Sequence, residues 1–349
     1  MSTGKAARFL IVLLVPVMAA ACVPNLKSPS ATRSPVTTQP AATGDVSSGS
    51  GALDQFQSQL HAIAAKVLPS VVQINTPDGL GSGVVFDDQG DIVTNAHVVS
   101  GASSISVQTS DGHHYSATVV GIYEAGDLAV VRVKNANLKP ATFGDSNGLK
   151  VGDVVLALGS PYGLQGTMTE GVVSAVGRSE DEGNGVTLKG LIQTSAPIYP
   201  GDSGGALVDL SGHVVGMPTL SSSGSRRASA APSVAFAIPS SSIVRVANQL
   251  IASGKVAHTG IAYLGVTLQD DPNGGARVQS VVPGGPGAKA GLQPQSVITA
   301  IGDRTVADVA GLSQALAGHQ PGDVVSVQIL KPNGEGATLT VTLGELPAQ

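Results

Sequence analysis

The chain has 349 residues, with 45 glycines, 21 prolines, no tryptophan and 3% aromatic residues. This length favours two folded domains with appendages, and the composition favours short strands and turns over long helices. The net charge of −5 contains no long run of one sign, which excludes the basic surface that nucleic-acid binding requires. The single cysteine excludes an intrachain disulfide, so the folded domains must hold through core packing.

Residues 1–22 are predicted to be a targeting segment. Basic residues precede an apolar run, Phe9–Val17, and a row of alanines ending at Ala21 leads to Cys22. The run is shorter than the roughly 20 apolar residues that span a bilayer. Three outcomes are open: ordinary signal-peptidase cleavage, lipobox-type cleavage with a lipid on Cys22, and a retained anchor. The only cysteine falls at the acceptor position, which favours the lipoprotein.

Residues 23–52 are rich in Pro, Ser, Thr, Ala and Gly and cannot bury enough apolar surface to fold, which predicts a disordered tether. Apolar residues at helical spacing then run from Leu53 to Val67, and Pro69 ends the predicted helix. This helix either packs on the domain that follows or carries subunit contacts.

From Val71 onward the apolar residues alternate with the period of β-strands, and turn signals separate the runs. The first set of predicted strands is Val71–Ile74, Gly83–Phe86, Ile92–Thr94, Ser104–Thr109, Ser116–Ile122 and Leu128–Val133. The second set is Val154–Leu158, Thr167–Val176, Val186–Thr194, Gly205–Val208, Val214–Met217 and Ser233–Ala237. Two sets of about six short strands predict two six-stranded antiparallel β-barrels in a mostly β protein. A helix over Ser240–Ile251 closes this domain, placed at residues 53–255.

A smaller α+β unit is predicted at residues 260–346. Its elements in chain order are strands Leu264–Leu268 and Ala276–Val281, helix Ala288–Gly291, strand Val297–Ile301, helix Val309–Ala317, and strands Val324–Leu330 and Ala337–Leu343. It is large enough for an independent core.

Three polar residues form the candidate catalytic set: His97, Asp127 and Ser203, each beside an apolar, strand-like run. A serine hydroxyl is a weak nucleophile at neutral pH and needs an imidazole to take its proton. A carboxylate must in turn fix the tautomer and orientation of that imidazole. Alone, each residue is more typical of a turn, a cap or a buried structural position. Together, in the His-Asp-Ser order of chymotrypsin, they predict a serine-protease triad.

The glycines in Pro200-Gly-Asp-Ser-Gly-Gly205 predict an oxyanion hole. Gly201 lets the backbone turn so that its N–H and that of Ser203 point at one spot. The oxyanion of a tetrahedral intermediate would form at that spot.

Pro197, Ile198 and Tyr199 are the expected substrate pocket. Pro197 lies six residues before the nucleophile, where a trypsin-like pocket for Arg or Lys carries an aspartate. A buried cationic side chain would find no partner beside Pro197 and its apolar neighbours. This predicts cleavage after small or medium apolar residues.

These motifs together resemble the HtrA/Deg family of bacterial envelope serine proteases, from about Leu53 to Leu346. The matching stretches begin at Gly81, Val93, Gly126, Gly159, Leu191, Pro200, Val234 and Tyr263. The resemblance implies a chymotrypsin-type protease domain followed by one PDZ domain, in a homotrimer without cofactor or metal. It also implies an extracytoplasmic place in the bacterial envelope, lipid-anchored or otherwise secreted, and polypeptide substrates.

The chain departs from the family pattern near the nucleophile. Asp202 stands where the family usually has Asn, and Ser195 and Tyr199 replace an Asp and an Asn beside the pocket. The segment Thr76–Gly81 is short, so the long inhibitory loop of some degradative members is absent. This favours a tethered, regulated protease over a large self-compartmentalising one.

In the PDZ domain, the resemblance and backbone chemistry assign peptide binding to Tyr263-Leu264-Gly265-Val266. Successive N–H groups there form a nest for a C-terminal carboxylate, and the next strand pairs with the peptide. Leu312 and Leu316, with Ala315, would line a pocket for the last side chain, or would belong to the core.

Two functions are open for the whole chain: an active serine endopeptidase, or a catalytically silent peptide-binding scaffold or chaperone. The intact set of catalytic residues favours the first.

Overall fold

A computed structural model of the chain describes residues 47–164, 166–181, 187–219 and 234–348. The predicted targeting segment with Cys22 and most of the predicted tether lie outside these residues. No helix within the described ranges is long and apolar enough to cross a membrane. From Gly49 onward the chain forms one compact unit.

Helix α1, Ser47–Val67, begins earlier than predicted and ends just before Pro69, which lies in a short 3₁₀ turn. Its apolar stripe packs inward, and Ile63 and Val67 are buried in the core of the domain. Its polar face is also held, because Lys66 Nζ donates to the Ser211 carbonyl at 2.7 Å. The sequence left two roles open for this helix, packing on the domain that follows and subunit contacts. The structure shows the packing.

The first predicted barrel is confirmed as a closed, six-stranded sheet in the order β1-β2-β3-β6-β5-β4. Its strands are β1 Val71–Thr76, β2 Gly79–Val85, β3 Asp91–Thr94, β4 Ile105–Gln108, β5 His114–Tyr123 and β6 Leu128–Val133. Strand β2 starts earlier than predicted because Thr76 pairs with Gly79 across a two-residue turn. A short helix that the strand pattern did not predict, α2 Ala96–Val99, follows β3 and carries His97.

The second barrel is also closed, in the order β10-β11-β12-β9-β8-β7. Its strands are β7 Val154–Gly159, β8 Thr167–Asp181, β9 Thr187–Thr194, β10 Ala206–Val208, β11 Val214–Thr219 and β12 Ala235–Pro239. Strand β8 runs beyond its predicted end at Val176 because its pairing with β9 continues to Asp181 and Thr187. Helix α3, Ser240–Ser253, follows and buries Ile243, Val246 and Leu250.

Each barrel has its own buried cluster, and a further apolar cluster is shared between the two. Val84 and Val130 of the first barrel belong to the same buried cluster as Leu158 and Ala206 of the second. A backbone hydrogen bond also joins them, from Ser82 N in β2 to the Ser203 carbonyl at 2.8 Å. The segment before β10 is therefore held against the first barrel.

The C-terminal α+β unit contains a sheet in the order β14-β15-β16-β18-β19, with β17 paired to β16, and a separate pair β13-β20. Its elements are β13 Ala262–Tyr263, β14 Val266–Asp270, β15 Ala276–Val281, α4 Pro286–Lys289, β16 Val297–Ile301, β17 Arg304–Thr305, α5 Val309–Ala317, β18 Val324–Leu330, β19 Gly336–Thr342 and β20 Gly344–Glu345. The two-residue strands were not predicted, since they are too short to show a period. Strand β14 forms an edge of its sheet.

Helix α5 packs against strand β8 of the second barrel. Gly177 of β8 has φ +75°, and a Cβ there would lie 2.9 Å from the Ala317 Cβ and 3.0 Å from the Gln314 Cα. The helix therefore approaches the strand at a point where only glycine leaves room.

The connector between the domains is fixed by hydrogen bonds at both ends. Gln249 of α3 accepts from the backbone N–H groups of Ala257 and His258, each at 2.9 Å. Glu345 of β20 accepts from Gly260 N at 2.6 Å and contacts His258 Nδ1 at 3.1 Å. A short connector whose backbone is bound in this way holds the domains in one arrangement.

The segment that follows β20 returns to the two-barrel domain. Leu346 N donates to the Ile261 carbonyl at 2.9 Å, and Ala348 packs against the core shared by the barrels. Leu346 and Pro347 help to wall a cavity of about 300 Å³, whose other walls include Gly126 and Leu128. The C-terminal segment thus reaches the neighbourhood of Asp127.

Candidate active site

His97 and Asp127 come together because β3 and β6 are antiparallel neighbours. Thr94, the last residue of β3, pairs with Ala129 near the start of β6. His97 comes three residues after Thr94, and Asp127 comes just before β6. Both residues therefore lie at the same end of the barrel. This pairing explains how two residues thirty positions apart in sequence meet.

The Asp127 carboxylate receives four donor contacts. His97 Nδ1 lies 2.9 Å from Oδ1 and 3.0 Å from Oδ2, and the His97 backbone N–H donates to Oδ1 at 3.0 Å. Thr219 Oγ1 donates to Oδ2 at 2.8 Å. Asp127 is only 3% exposed, so these bonds replace its hydration. An acidic acceptor at Nδ1 places the proton of the neutral imidazole there and leaves Nε2 as a base.

The backbone around Asp127 is unusual. Asp127 has φ 50° and ψ 44°, a left-handed conformation that aspartate tolerates better than most residues. The preceding Gly126 lies against the Tyr123 ring, which leaves no space for a Cβ. Asn95, which precedes α2, donates from Nδ2 to the Asp127 carbonyl at 3.0 Å. These contacts fix the carboxylate with respect to the helix that carries His97.

Ser203 lies in the loop before β10, 5% exposed, and Ser82 of the first barrel anchors this loop. Besides the Ser82 N–H bond to the Ser203 carbonyl, Ser82 Oγ donates to the Gly201 carbonyl at 2.7 Å and accepts from Ser160 N at 2.9 Å. The Ser82 carbonyl accepts from Thr94 Oγ1 at 2.7 Å. One serine therefore links the Ser203 loop to the strand that leads to His97.

The backbone at Gly201 presents a free donor. Gly201 has φ +103°, and a Cβ there would lie 2.6 Å from the Ser160 carbonyl. The Pro200 carbonyl accepts from Tyr162 N at 2.9 Å, and in a trans peptide the N–H points opposite to the carbonyl. No described residue accepts from the Gly201 N–H. This donor is therefore available to a bound group.

The three predicted pocket residues have different surroundings. The Pro197 carbonyl accepts from Thr169 Oγ1 at 2.7 Å, and Ile198 packs against the core of the second barrel. Tyr199 is 44% exposed, and its ring centroid lies 6.3 Å from that of Tyr162, itself 65% exposed. Only Tyr199 among the three offers a large accessible apolar surface.

Asp202 is buried directly before the nucleophile. Its Oδ2 accepts from Tyr199 N at 2.9 Å, and its backbone N–H donates to the Tyr199 carbonyl at 2.9 Å. Burial raises the pKa of Asp202 to about 6, and the hydrogen bond from Tyr199 opposes that rise. No described cation forms an ion pair with it.

The predicted PDZ peptide residues divide between the core and the surface. Leu264 and Leu312 are 2% and 1% exposed and belong to the PDZ core, against which Val266 and Leu316 pack. Tyr263 pairs with Gly344 between β13 and β20. Gly265, with φ +72°, lies beside Pro286. The Leu312 side chain thus takes the core position that the sequence left open as one alternative, and the Leu264 side chain is buried in the same core.

Sequence reasoning did not single out Ser82, Asn95 and Thr219 as functional. Ser82 and Asn95 lie within the matched motifs beginning at Gly81 and Val93, so a signal existed. Thr219 ends an ordinary strand, and only the folded structure brings its hydroxyl to Asp127. Contacts across such sequence distances leave no local pattern.

Comparison with known families finds two domains. A trypsin-like peptidase domain matches residues 81–217, and a PDZ domain matches residues 262–343. The first contains His97, Asp127 and Ser203, and the second contains Tyr263 and α5.

Relatives match over most of the chain. Serine protease PepD of Mycobacterium tuberculosis is 39% identical, over 81% of this chain and 65% of its own length. Serine protease Do-like HtrA of Lactococcus lactis is 37% identical, over 76% of this chain and 70% of its own. The structure of HtrA-type protease AlgW with tripeptide is 34% identical, with a TM-score of 0.60, covering 82% of this chain and 98% of that one. The chain spans only about half to two thirds of the length of several curated relatives. It belongs to the HtrA/Deg family of serine proteases.

Proposed function

We propose that the chain is a serine endopeptidase that hydrolyses peptide bonds of bacterial envelope proteins. The observation that carries this proposal is the buried Asp127 carboxylate bound to His97 Nδ1 at 2.9 Å, with the Ser203 loop anchored on the same barrel by Ser82. We assign the imidazole held in this way as the base that acts on Ser203. Structural burial alone does not require that a carboxylate have a histidine ring among its three donor groups.

The residues take the following roles in the proposed reaction. Ser203 Oγ attacks the substrate carbonyl carbon, and His97 Nε2 takes the hydroxyl proton. Asp127 stabilises the imidazolium that forms. The amides of Gly201 and Ser203 donate to the oxyanion of the tetrahedral intermediate. His97 then gives its proton to the leaving amine, and water repeats the sequence to release the acyl group.

A fluorophosphonate probe tests activity against the alternative of a silent scaffold. The probe phosphonylates an activated serine, so the wild-type protein should be labelled and Ser203→Ala should not. Ser211→Ala, on an exposed turn of the same barrel, is the matched control and should be labelled as the wild type is. A folded wild-type protein that takes no label and cleaves no casein would establish the scaffold function.

Polypeptides are the proposed substrates, and C-terminal peptides are the proposed PDZ ligands. One of the related structures is the HtrA-type protease AlgW with decapeptide. In this chain the edge position of β14 leaves one side open for an added peptide strand. The proposed contacts are the Tyr263–Val266 backbone for the carboxylate and Leu316 for the last side chain. Calorimetric titration with a peptide ending in an apolar residue, and with its C-terminal amide as control, tests this assignment.

The proposed specificity is cleavage after Val, Ala or Leu. Neither Pro197 nor Ile198 offers a negative charge, and Asp202 faces Tyr199 N within its own turn. A buried Arg or Lys side chain would lose its hydration without gaining a partner. A peptide-library profile dominated by Arg or Lys at the residue before the cut would contradict this.

The proposed location is extracytoplasmic, in the bacterial envelope, since several relatives are named periplasmic serine endoproteases. We further propose that Cys22 carries a lipid and that residues 23–52 tether the protease. Cys22→Ala should move the protein from the membrane fraction to the soluble one. An intact mass that shows an unmodified Cys22 would contradict the lipid anchor.

A homotrimer is the proposed assembly. Sedimentation velocity of the protein without residues 1–22 measures it directly. A single species with the mass of one chain across micromolar concentrations would contradict it.

A further inference from the structure

Asp202 closes the turn that carries the oxyanion donor. Its side chain accepts from Tyr199 N and its backbone N–H donates to the Tyr199 carbonyl, both at 2.9 Å. The two bonds bracket Pro200 and Gly201, so the direction of the Gly201 N–H depends on them. The side chain of Asp202 is thus coupled mechanically to the group proposed to bind the oxyanion.

The carboxyl group of Asp202 is enclosed by neutral groups. A Cβ on Gly159 at the end of β7 would lie 2.5 Å from its Oδ1, so the β7 backbone covers it. The polar side chains on the adjoining elements are those of Ser160, Gln73 and Ser82, which hydrogen-bond within the same network. Besides Asp202, the titratable side chains on β1, β2, β7 and segments 160–163 and 199–203 are the phenols of Tyr162 and Tyr199. None of the ion pairs among the described residues includes Asp202.

One backbone N–H does not replace the water that a carboxylate loses on burial. Asp202 is 5% exposed, and the balance of burial against the Tyr199 bond raises its pKa to about 6. The turn has a way to rehydrate the carboxylate, because Tyr199 is 44% exposed and Pro200 is exposed at its tip. The uncharged carboxyl fits the closed turn, whereas the charged one gains by opening it.

We propose that Asp202 is a positioning residue that holds the oxyanion turn closed while its carboxyl is uncharged and loosens it on ionisation. The protease would therefore be most effective on the acidic side of neutrality. This inference rests on the proposed function and adds its regulation. An asparagine, which the family resemblance leads one to expect at this position, would keep the acceptor for Tyr199 N without a charge.

The pH dependence of turnover tests the proposal. Peptide hydrolysis is measured from about pH 5 to pH 9 for the wild type, Asp202→Asn and the control Asp209→Asn. Asp209 accepts from the turn amides of Ser211 and His213, at a partly exposed turn that follows β10, whereas the nucleophile loop precedes that strand. The wild type and the control should lose kcat above about pH 6, by up to about tenfold per pH unit, with little change in KM. Asp202→Asn should instead keep its kcat as the pH rises through this range. Parallel profiles, or an Asp202→Asn protein inactive at every pH, would overturn the proposal.

A second measurement does not depend on activity. Carbon-13 NMR spectra are recorded for Ser203→Ala and for the double variant Ser203→Ala/Asp202→Asn, both with ¹³C-labelled aspartate. The carboxyl signal that is present in the first and missing from the second belongs to Asp202. It should titrate near pH 6, as the structure indicates, and the Tyr199 amide should shift with it. A midpoint near the ordinary value of about 4 overturns the inference. Wild-type protein that is inactive at all pH values would instead refute the proposed function and leave this titration as the deciding result.

Discussion

At the residue scale, the site depends on hydrogen bonds that hold charged groups in place. Thr219 Oγ1 supplies one of the donors to Asp127, at 2.8 Å and away from solvent. A hydrogen bond to a charged group contributes about 1.5–3 kcal/mol. Thr219→Val should therefore lower kcat by about tenfold or more while KM stays close to the wild-type value. Thr219→Ser keeps the hydroxyl and should retain most of the activity, whereas equal loss in both variants would show that packing matters instead.

The triad itself gives a prediction with a larger magnitude. Ser203→Ala and His97→Ala should each lower kcat by about 10⁴-fold or more, because nucleophile and base act as one unit. The double variant should be little worse than either single one. Thermal unfolding should stay near the wild-type midpoint in each case. Additive losses would mean that the two residues act in separate steps.

Asp202 also makes a prediction about stability. Its pKa is raised in the folded state, so the folded protein binds this proton more tightly and loses stability as the pH rises from about 4 to 6. Asp202→Asn should therefore raise the free energy of unfolding at neutral pH by roughly 2–3 kcal/mol more than it does near pH 4. Urea unfolding in the Ser203→Ala background avoids self-cleavage and measures this difference. A pH-independent effect of the substitution would contradict it.

At the scale of the elements, one ion pair joins the strand that precedes His97 to the strand that follows Asp127. Asp91 of β3 is fully buried, and Arg132 of β6 binds it with Nε at 2.7 Å and Nη2 at 2.6 Å. This pairing raises the pKa of Arg132. Arg132→Met would leave the carboxylate buried without a partner and should cost about 3–5 kcal/mol in denaturant unfolding. Lys134→Met, at an exposed position two residues on, is the control and should change stability little.

The strands were predictable where they are long and apolar. Alternating valines and leucines marked most strands of both barrels, since one face of each strand packs inward. The helix α2 and the pair β13-β20 were not predicted. Elements of two to four residues are too short to show a periodic pattern, and they form only against a tertiary partner. Local motifs marked His97, Asp127 and Ser203. The contribution of Thr219 depends on its contact with Asp127 across the fold, and the sequence around Thr219 has no pattern that predicts this contact.

At the scale of the whole molecule, the contact of α5 with β8 links the PDZ domain to the protease. Peptide binding between β14 and α5 would shift α5, and β8 pairs with β9, which leads toward the nucleophile loop. Coupling of this kind is typically about 1–3 kcal/mol. A PDZ peptide should therefore raise the cleavage rate of a small chromogenic substrate that cannot reach the PDZ domain. Binding without any change in that rate would mean that the PDZ domain only tethers substrates.

Alanine substitutions at two glycines with similar backbone angles distinguish the effect of helix packing from that of backbone strain. Gly177 has φ +75° and faces α5 closely, whereas Gly190 has φ +72° and no atom within 4 Å of the position that a Cβ would take. Both alanine variants carry the same left-handed strain, about 1 kcal/mol. Only Gly177→Ala should also push α5 away and abolish activation by the PDZ peptide. Equal behaviour of the two variants in the chromogenic assay would remove β8 from the coupling route.

Residues 346–348 pack on the protease domain, and this contact limits how the two domains can recombine during evolution. Leu346, Pro347 and Ala348 cover apolar protease surface, beside a segment that positions Asp127. A protease cut free after α3 would expose that surface and bind hydrophobic dyes, even with its catalytic residues intact. A protease domain of this kind cannot exchange its PDZ partner by simple recombination at the connector. The new partner would have to bring a C-terminal segment of matching shape.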